Sequence, residues 1–106
     1  MTEATFVQGD TAPAMTATLH EPGDIESPID LTDSDVRFQM RKVNDKRFTV
    51  NQPADIVDEE AGTVRYDWAT NDLAVPGDYQ CQWEITFADA RIQTQAVPNT
   101  ITVRRQ

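Results

Sequence analysis

From Tyr79 to Phe87 the odd positions carry Tyr79, Cys81, Trp83, Ile85 and Phe87, and the even positions between them carry Gln80, Gln82, Glu84 and Thr86. Side chains on an extended backbone alternate between two faces, so a two-residue period this regular buries one face of a strand and wets the other. A helix would scatter the same apolar set around its circumference. The period recurs along the chain. Asp35 to Lys42 sets Val36, Phe38 and Met40 against Arg37, Gln39 and Arg41, and Thr63 to Trp68 sets Val64, Tyr66 and Trp68 against Arg65 and Asp67. Met15, Ala17 and Leu19 alternate with Thr16, Thr18 and His20, as do Ile101 and Val103 with Thr100 and Thr102. Weaker strands are expected at Thr5 to Gln8, Arg47 to Val50, Ala54 to Asp58 and Arg91 to Gln95.

Turn chemistry separates these runs: Glu21-Pro22-Gly23-Asp24, Thr32-Asp33-Ser34, Val43-Asn44-Asp45-Lys46, Glu59-Glu60-Ala61-Gly62, Pro76-Gly77 and Ala88-Asp89-Ala90. Short strands with this punctuation imply an all-β antiparallel sandwich or barrel, with no helical period, internal repeat or linker to divide it. At 106 residues the chain has room for one core. We therefore expect a single domain over residues 1–106, with Val36, Phe38, Val64, Tyr66, Trp68, Tyr79, Cys81, Trp83, Ile85 and Phe87 sharing that core.

One local pattern narrows the fold further. Asp72-Leu73-Ala74-Val75-Pro76-Gly77-Asp78-Tyr79-Gln80-Cys81 looks like the corner before strand F of an immunoglobulin domain, with Tyr79 two residues before Cys81 in the place of the tyrosine whose hydroxyl bonds nearby backbone. The reading is thus an immunoglobulin-like β-sandwich, and one without the usual bridge, since Cys81 is the only cysteine. The alternative is that Tyr79 is simply another core aromatic.

The formal net charge of −9 opposes attachment to nucleic-acid phosphates, so a nucleic-acid partner is not expected. Aspartates outnumber glutamates, and Lys42 and Lys46 are the only lysines, a balance found at high salt but also in secreted and viral proteins. No stretch approaches the ~20 apolar residues that span a bilayer, and Met1-Thr2-Glu3-Ala4-Thr5 lacks the basic and apolar regions of a leader. The chain is read as soluble and unprocessed, with no membrane partner.

Residues with chemical potential are few. His20 falls on the wet face beside Thr16 and Thr18, with neither a positioned nucleophile nor an orienting acid marked near it. Cys81 falls in the apolar register, where a thiol is packed rather than reactive. Asp30, Asp33 and Asp35 form one acidic group and Asp55, Asp58, Glu59 and Glu60 a second, but their spacing is not that of a calcium loop, and aspartate in turns commonly caps its own backbone. Gly9-Asp10-Thr11-Ala12-Pro13 lacks the lysine and following helix of a phosphate loop and reads as a bend between edge segments. Trp68 and Trp83 would make a sugar platform if exposed, yet both fall in the core register. No catalytic, cofactor-binding or metal-binding residue is assigned, no cofactor is expected, and the chain is read as a non-enzyme.

A wider pattern runs through Phe6, Gly9-Asp10-Thr11-Ala12-Pro13, Ile29-Asp30-Leu31-Thr32, Val36-Arg37-Phe38 and Gly62-Thr63-Val64-Arg65-Tyr66-Asp67-Trp68. It continues in Asp72, Pro76-Gly77-Asp78-Tyr79, Trp83-Glu84-Ile85-Thr86-Phe87, Pro98 and Ile101-Thr102-Val103. In order and spacing it resembles the small immunoglobulin-like proteins of tailed phages and archaeal tailed viruses, similar to the N-terminal domain of the baseplate upper protein family. One departure is Ala88-Asp89-Ala90-Arg91, where such proteins usually carry Asp-Gly, because Ala90 does not readily take a positive φ. The resemblance implies a structural component of a tailed virus particle. Its place would be the tail, baseplate or neck, or a decoration of the capsid surface, contacting other virion proteins in many copies of a symmetric assembly. The alternative is a virion-surface adhesive module for host glycan or envelope protein. Met1 to Asp10 and the segment after Val103 are expected to be a flexible arm and tail that order against neighbouring chains, where Arg104-Arg105 would complement an acidic partner; the alternative is a solubilising tail.

Overall fold

A computed structural model describes residues 4–21, 24–97 and 100–106. The described strands are β1 Ala4–Val7, β2 Met15–Thr18, β3 His20–Glu21, β4 Asp24–Pro28, β5 Asp35–Lys42, β6 Val50–Pro53, β7 Asp55–Asp58, β8 Thr63–Tyr66, β9 Gly77–Thr86, β10 Ile92–Ala96 and β11 Ile101–Arg104. Among the described residues there is no helix, and the protein is an all-β sandwich.

The strand with the most regular alternation organises the larger sheet, whose order is β1-β11-β9-β5-β6. β5 pairs antiparallel with β9 from Asp35 opposite Thr86 to Lys42 opposite Tyr79, which sets Phe38 directly across from Trp83. The other edge of β9 is shared: β11 takes Gly77 to Tyr79, and β10 takes Gln82 to Thr86. The second sheet runs β2-β8-β7, and β3 and β4 form a separate hairpin. One pair departs from the antiparallel pattern, since β1 runs parallel to β11 with Phe6 opposite Val103.

The inward residues of both sheets meet in one cluster around Phe38, which has no exposed surface. Its ring stacks on Tyr66 at 4.8 Å, meets Trp68 edge-on at 5.5 Å and lies 4.9 Å from Trp83. Aromatic pairs add roughly 0.5–1.5 kcal/mol each to the burial of their area, so this group fixes how the sheets sit on each other. Phe87 is the exception to the expected core. It is half-buried at the rim, with the Arg91 guanidinium 5.3 Å from its ring centre.

Gly62 closes the turn between β7 and β8 at φ +69°, and an added Cβ would lie 2.8 Å from the carbonyl oxygens of both Leu19 and Ile29. The same turn receives the Leu19 N–H on the Gly62 carbonyl, so backbone from two other segments packs where a side chain would stand.

One weaker strand moves and one regular strand is shorter than expected. The segment expected at Arg47 to Val50 forms its ladder at Val50–Pro53, because Asn44 takes a positive φ and Asp45 caps the Arg47 N–H, consuming those residues in the turn. The strand expected to reach Trp68 stops at Tyr66, although the Trp68 ring remains buried. The segment Met1 to Asp10, expected as an arm held by neighbours, enters the sheet of its own chain from Ala4 onward, with Phe6 buried and the Gln8 N–H on the Arg104 carbonyl. Arg105 and Gln106 follow the last strand and are exposed. Met1 to Glu3, Pro22-Gly23 and Pro98 lie outside the described residues.

Candidate functional site

The corner before β9 forms as the sequence suggests. The Tyr79 hydroxyl donates to the Val75 carbonyl at 2.6 Å while its ring is buried, and burial raises its phenol above the usual range. Two residues on, Cys81 is buried and its thiol is pushed up to about 12, which keeps it protonated and inert at neutral pH. A second polar lock at this end was not legible in the sequence. The Tyr66 hydroxyl donates to Asp72 at 2.5 Å, and the same carboxylate oxygen accepts the Ala69 N–H at 2.8 Å. Burial, then the bond to Asp72, drives the Tyr66 phenol upward. Nearby, the Trp68 indole N–H donates to the Pro13 carbonyl at 3.0 Å, tying the Gly9 to Pro13 bend to the core. That bend joins β1, an edge of one sheet, to β2, an edge of the other.

One aspartate of each acidic group bonds its own turn. Asp30 accepts both the main-chain N–H and the hydroxyl of Thr32, at 2.9 and 2.6 Å, and those bonds hold its carboxyl below the ordinary value. Asp58 caps the Ala61 N–H at 3.2 Å. Among the described residues no three histidine, cysteine, aspartate or glutamate side chains gather in a metal-binding arrangement.

His20 is not on a wet face. The alternation of β2 ends at Leu19, and His20 is half-buried, with its Nδ1 enclosed and lacking a hydrogen-bond partner among the described residues. The side-chain amide of Gln95 clasps its backbone, accepting from the His20 N–H and donating to the His20 carbonyl. Gln39, expected on the wet face of β5, is 4 % exposed. The Gln82 amide donates to it at 2.7 Å, and Arg37 reaches over to the Asn51 side chain at 2.9 Å, so long polar neighbours cover it.

Both tryptophans are in the core, so neither offers a platform. The large exposed apolar side chains instead lie on strand edges and turns: Ile92 on β10 at 64 %, Val57 on β7 at 61 %, Val75 before β9, Val7 on β1, and Val43 and Phe48 between β5 and β6. β10 is an edge strand. Its ladder bonds include the Phe87 N–H on the Arg91 carbonyl and the Val97 N–H on the Cys81 carbonyl, and alternation therefore turns the main-chain groups of Ile92, Thr94 and Ala96 to the open side. On β2 the Leu19 N–H on the Gly62 carbonyl fixes the same phase, and Thr16 and Thr18 turn theirs outward. Between these two edges runs a groove of about 380 Å³, lined by both strands and by Leu19, His20 and Trp83.

Comparison with solved structures finds a similar fold in CopC from Methylosinus trichosporium OB3b, with a TM-score of 0.56 over 98 % of this chain and 85 % of that one. The sequences are 10 % identical, so the likeness is one of fold alone. No curated protein matches the chain. The model of the BppU N-terminal domain, from the baseplate upper protein, matches residues 3–103, which spans all the strands described above except the final residue of β11. The chain belongs to the BppU N-terminal domain family.

Proposed function

We propose that this protein is a non-catalytic assembly module of the tail or baseplate of a virus particle, present in several copies and held by contacts between its strand edges and other virion proteins. The family carries a virion-associated location and a structural role in the baseplate or tail. The observation that favours assembly over adhesion is where the apolar surface lies. Trp68 and Trp83, the side chains that would form a glycan platform, are 5 % and 1 % exposed, whereas Ile92 and Val7 stand out on the edge strands β10 and β1. An edge strand with an exposed apolar side chain is a template for another chain, and weak edge contacts become firm when symmetry repeats them. Neither nucleic acid nor membrane is among the proposed partners, and the charge of −9 is unfavourable for phosphate surfaces of either kind.

The test is a reconstruction of the intact particle. The expected result is this sandwich at repeated positions about the tail axis, with at least one strand edge against a different protein. A chain that is absent from the particle, or that projects from it with every edge in solvent, would overturn the reading.

A further inference from the structure

We infer that the groove between β2 and β10 seats an extended, uncharged peptide segment from a neighbouring chain. The source of the segment rests on the assembly reading above, but the groove's chemistry does not.

The core is thinly covered along this flank. Met15 and Ala17 point inward from β2 and are only half-buried, although the residues opposite them on β8, Tyr66 and Val64, are 5 % and 0 % exposed. Val97 is likewise half-buried, while Cys81, whose carbonyl it bonds, is 3 % exposed. Two residues that line the groove carry orphaned polar atoms. Trp83 is 1 % exposed and lines the groove, and its indole N–H has no partner among the described residues; the enclosed Nδ1 of His20 has none either. Buried polar groups are almost always paired, so these two indicate what a partner must supply. The indole needs an acceptor, and the imidazole nitrogen takes a donor or an acceptor according to its tautomer.

A peptide group offers both a carbonyl and an N–H, and a carboxamide of the groove wall already pairs this way, since Gln95 bonds both main-chain groups of His20. The walls have strand chemistry too, since the outward N–H and carbonyl groups of Thr16, Thr18, Thr94 and Ala96 are free to pair with an added strand. A quarter of the chain's residues are aspartate, glutamate, lysine or arginine, yet none of these lines the groove. A charged segment would lose its hydration there without gaining an ion pair, which is why the occupant is uncharged. β2 is four residues long, so a segment of about four to six residues at ~3.3 Å per residue fills the groove.

The experiment titrates the ¹⁵N-labelled full chain with an acetylated, amidated hexapeptide alternating threonine and valine, followed by NMR. Saturable movement of the Trp83 indole N–H resonance is expected, while that of Trp68, already bonded to the Pro13 carbonyl at 3.0 Å, stays in place. Thr94→Pro removes an outward N–H without a ladder bond, His20→Phe removes the orphaned nitrogen, and Ala96→Glu brings a charge to the wall. Each is expected to weaken the peptide by about tenfold, the worth of one hydrogen bond or one desolvated charge. Ala96 is exposed, so its variant keeps the test open if either of the others unfolds. A Trp83 resonance unmoved at millimolar peptide, or exchanging with an ordered water that the peptide does not displace, overturns the inference, as does equal binding by all variants. Peptide binding by a chain that is missing from particles would preserve the groove and remove the assembly reading. An Ala96→Glu chain that binds no peptide yet is incorporated normally would remove the neighbour as occupant.

Discussion

The two flanks of this sandwich treat their buried polar groups differently. At the Tyr79 flank every aromatic polar group is matched: Tyr79 to Val75, Tyr66 to Asp72, and the Trp68 indole to Pro13. At the β2/β10 flank the Trp83 indole and His20 Nδ1 have no partner among the described residues, and Met15, Ala17 and Val97 are half-buried. Both flanks draw on the same aromatic cluster, so the difference lies in what surrounds the rings. The Tyr79 flank is closed by the loop bonds of Val75, Asp72 and Pro13, while the other is bounded by two edge strands with no described strand paired between them. Stability should therefore be concentrated on the first flank and binding capacity on the second.

The largest test of this contrast is a pair of truncations. Phe38→Ala removes the ring on which both flanks rest and is expected to cost about 3–5 kcal/mol, whereas Met15→Ala, on the half-buried seam, should cost less than about 1.5 kcal/mol. Equal losses in urea unfolding would show the seam to be as tightly packed as the centre.

Alkaline unfolding asks whether the open flank admits water to the core. The folded-state pKa of Cys81 is raised by burial from 9.0 to about 12. Its protonated form is therefore the one that folding favours, and this contribution is complete below about pH 9 and lost as pH rises toward 12. By pH 11 the wild type should have lost on the order of 2 kcal/mol relative to Cys81→Ala. Parallel stability profiles for the two proteins above pH 9 would mean that solvent reaches the thiol and that the flank is more open than its burial suggests.

A smaller effect separates the hydroxyl on the closed flank from the orphaned nitrogen on the open one. Tyr79→Phe leaves the Val75 carbonyl without its partner and should destabilise by about 1 kcal/mol, while His20→Phe should change the unfolding free energy by less than about half that amount. A His20→Phe loss as large as that of Tyr79→Phe would mean that Nδ1 is paired in solution.

The smallest expected effect is a gain at the β9–β10 hairpin that borders the open flank. The loop of Ala88, Asp89 and Ala90 returns the Ala90 N–H to the Phe87 carbonyl, with Ala90 at φ +71°. That is a three-residue loop whose last residue is left-handed, a position suited to glycine. Asp33, Asn44 and Asn71 also take positive φ, but their side chains tolerate it, whereas alanine has no such compensation. Ala90→Gly should raise stability by about 0.5–1 kcal/mol, less the added freedom of the unfolded chain. A lower melting temperature would show that the loop relaxes away from this turn.

Alternation determined which strands face inward, because period two is a property of the backbone: β5, β8 and β9 bury the residues their sequence marks, and Tyr79 takes its corner because the turn before it brings Val75 within reach. The resemblance in motif order likewise reached the right family. Partners distant in sequence were another matter. The sequence assigned His20 and Gln39 to wet faces from their neighbours in the chain, but the exposure of each depends on what crosses it in space: Gln95 and the groove for one, Gln82 and Asn51 for the other. The parallel pairing of β1 with β11, which draws the first described residues into the sheet, joins the two ends of the chain, and no local pattern encodes it. The β2/β10 groove was illegible for the same reason. It exists because two edges from different sheets end near each other, and a strand's sequence gives its own period but not which of its edges is left unpaired.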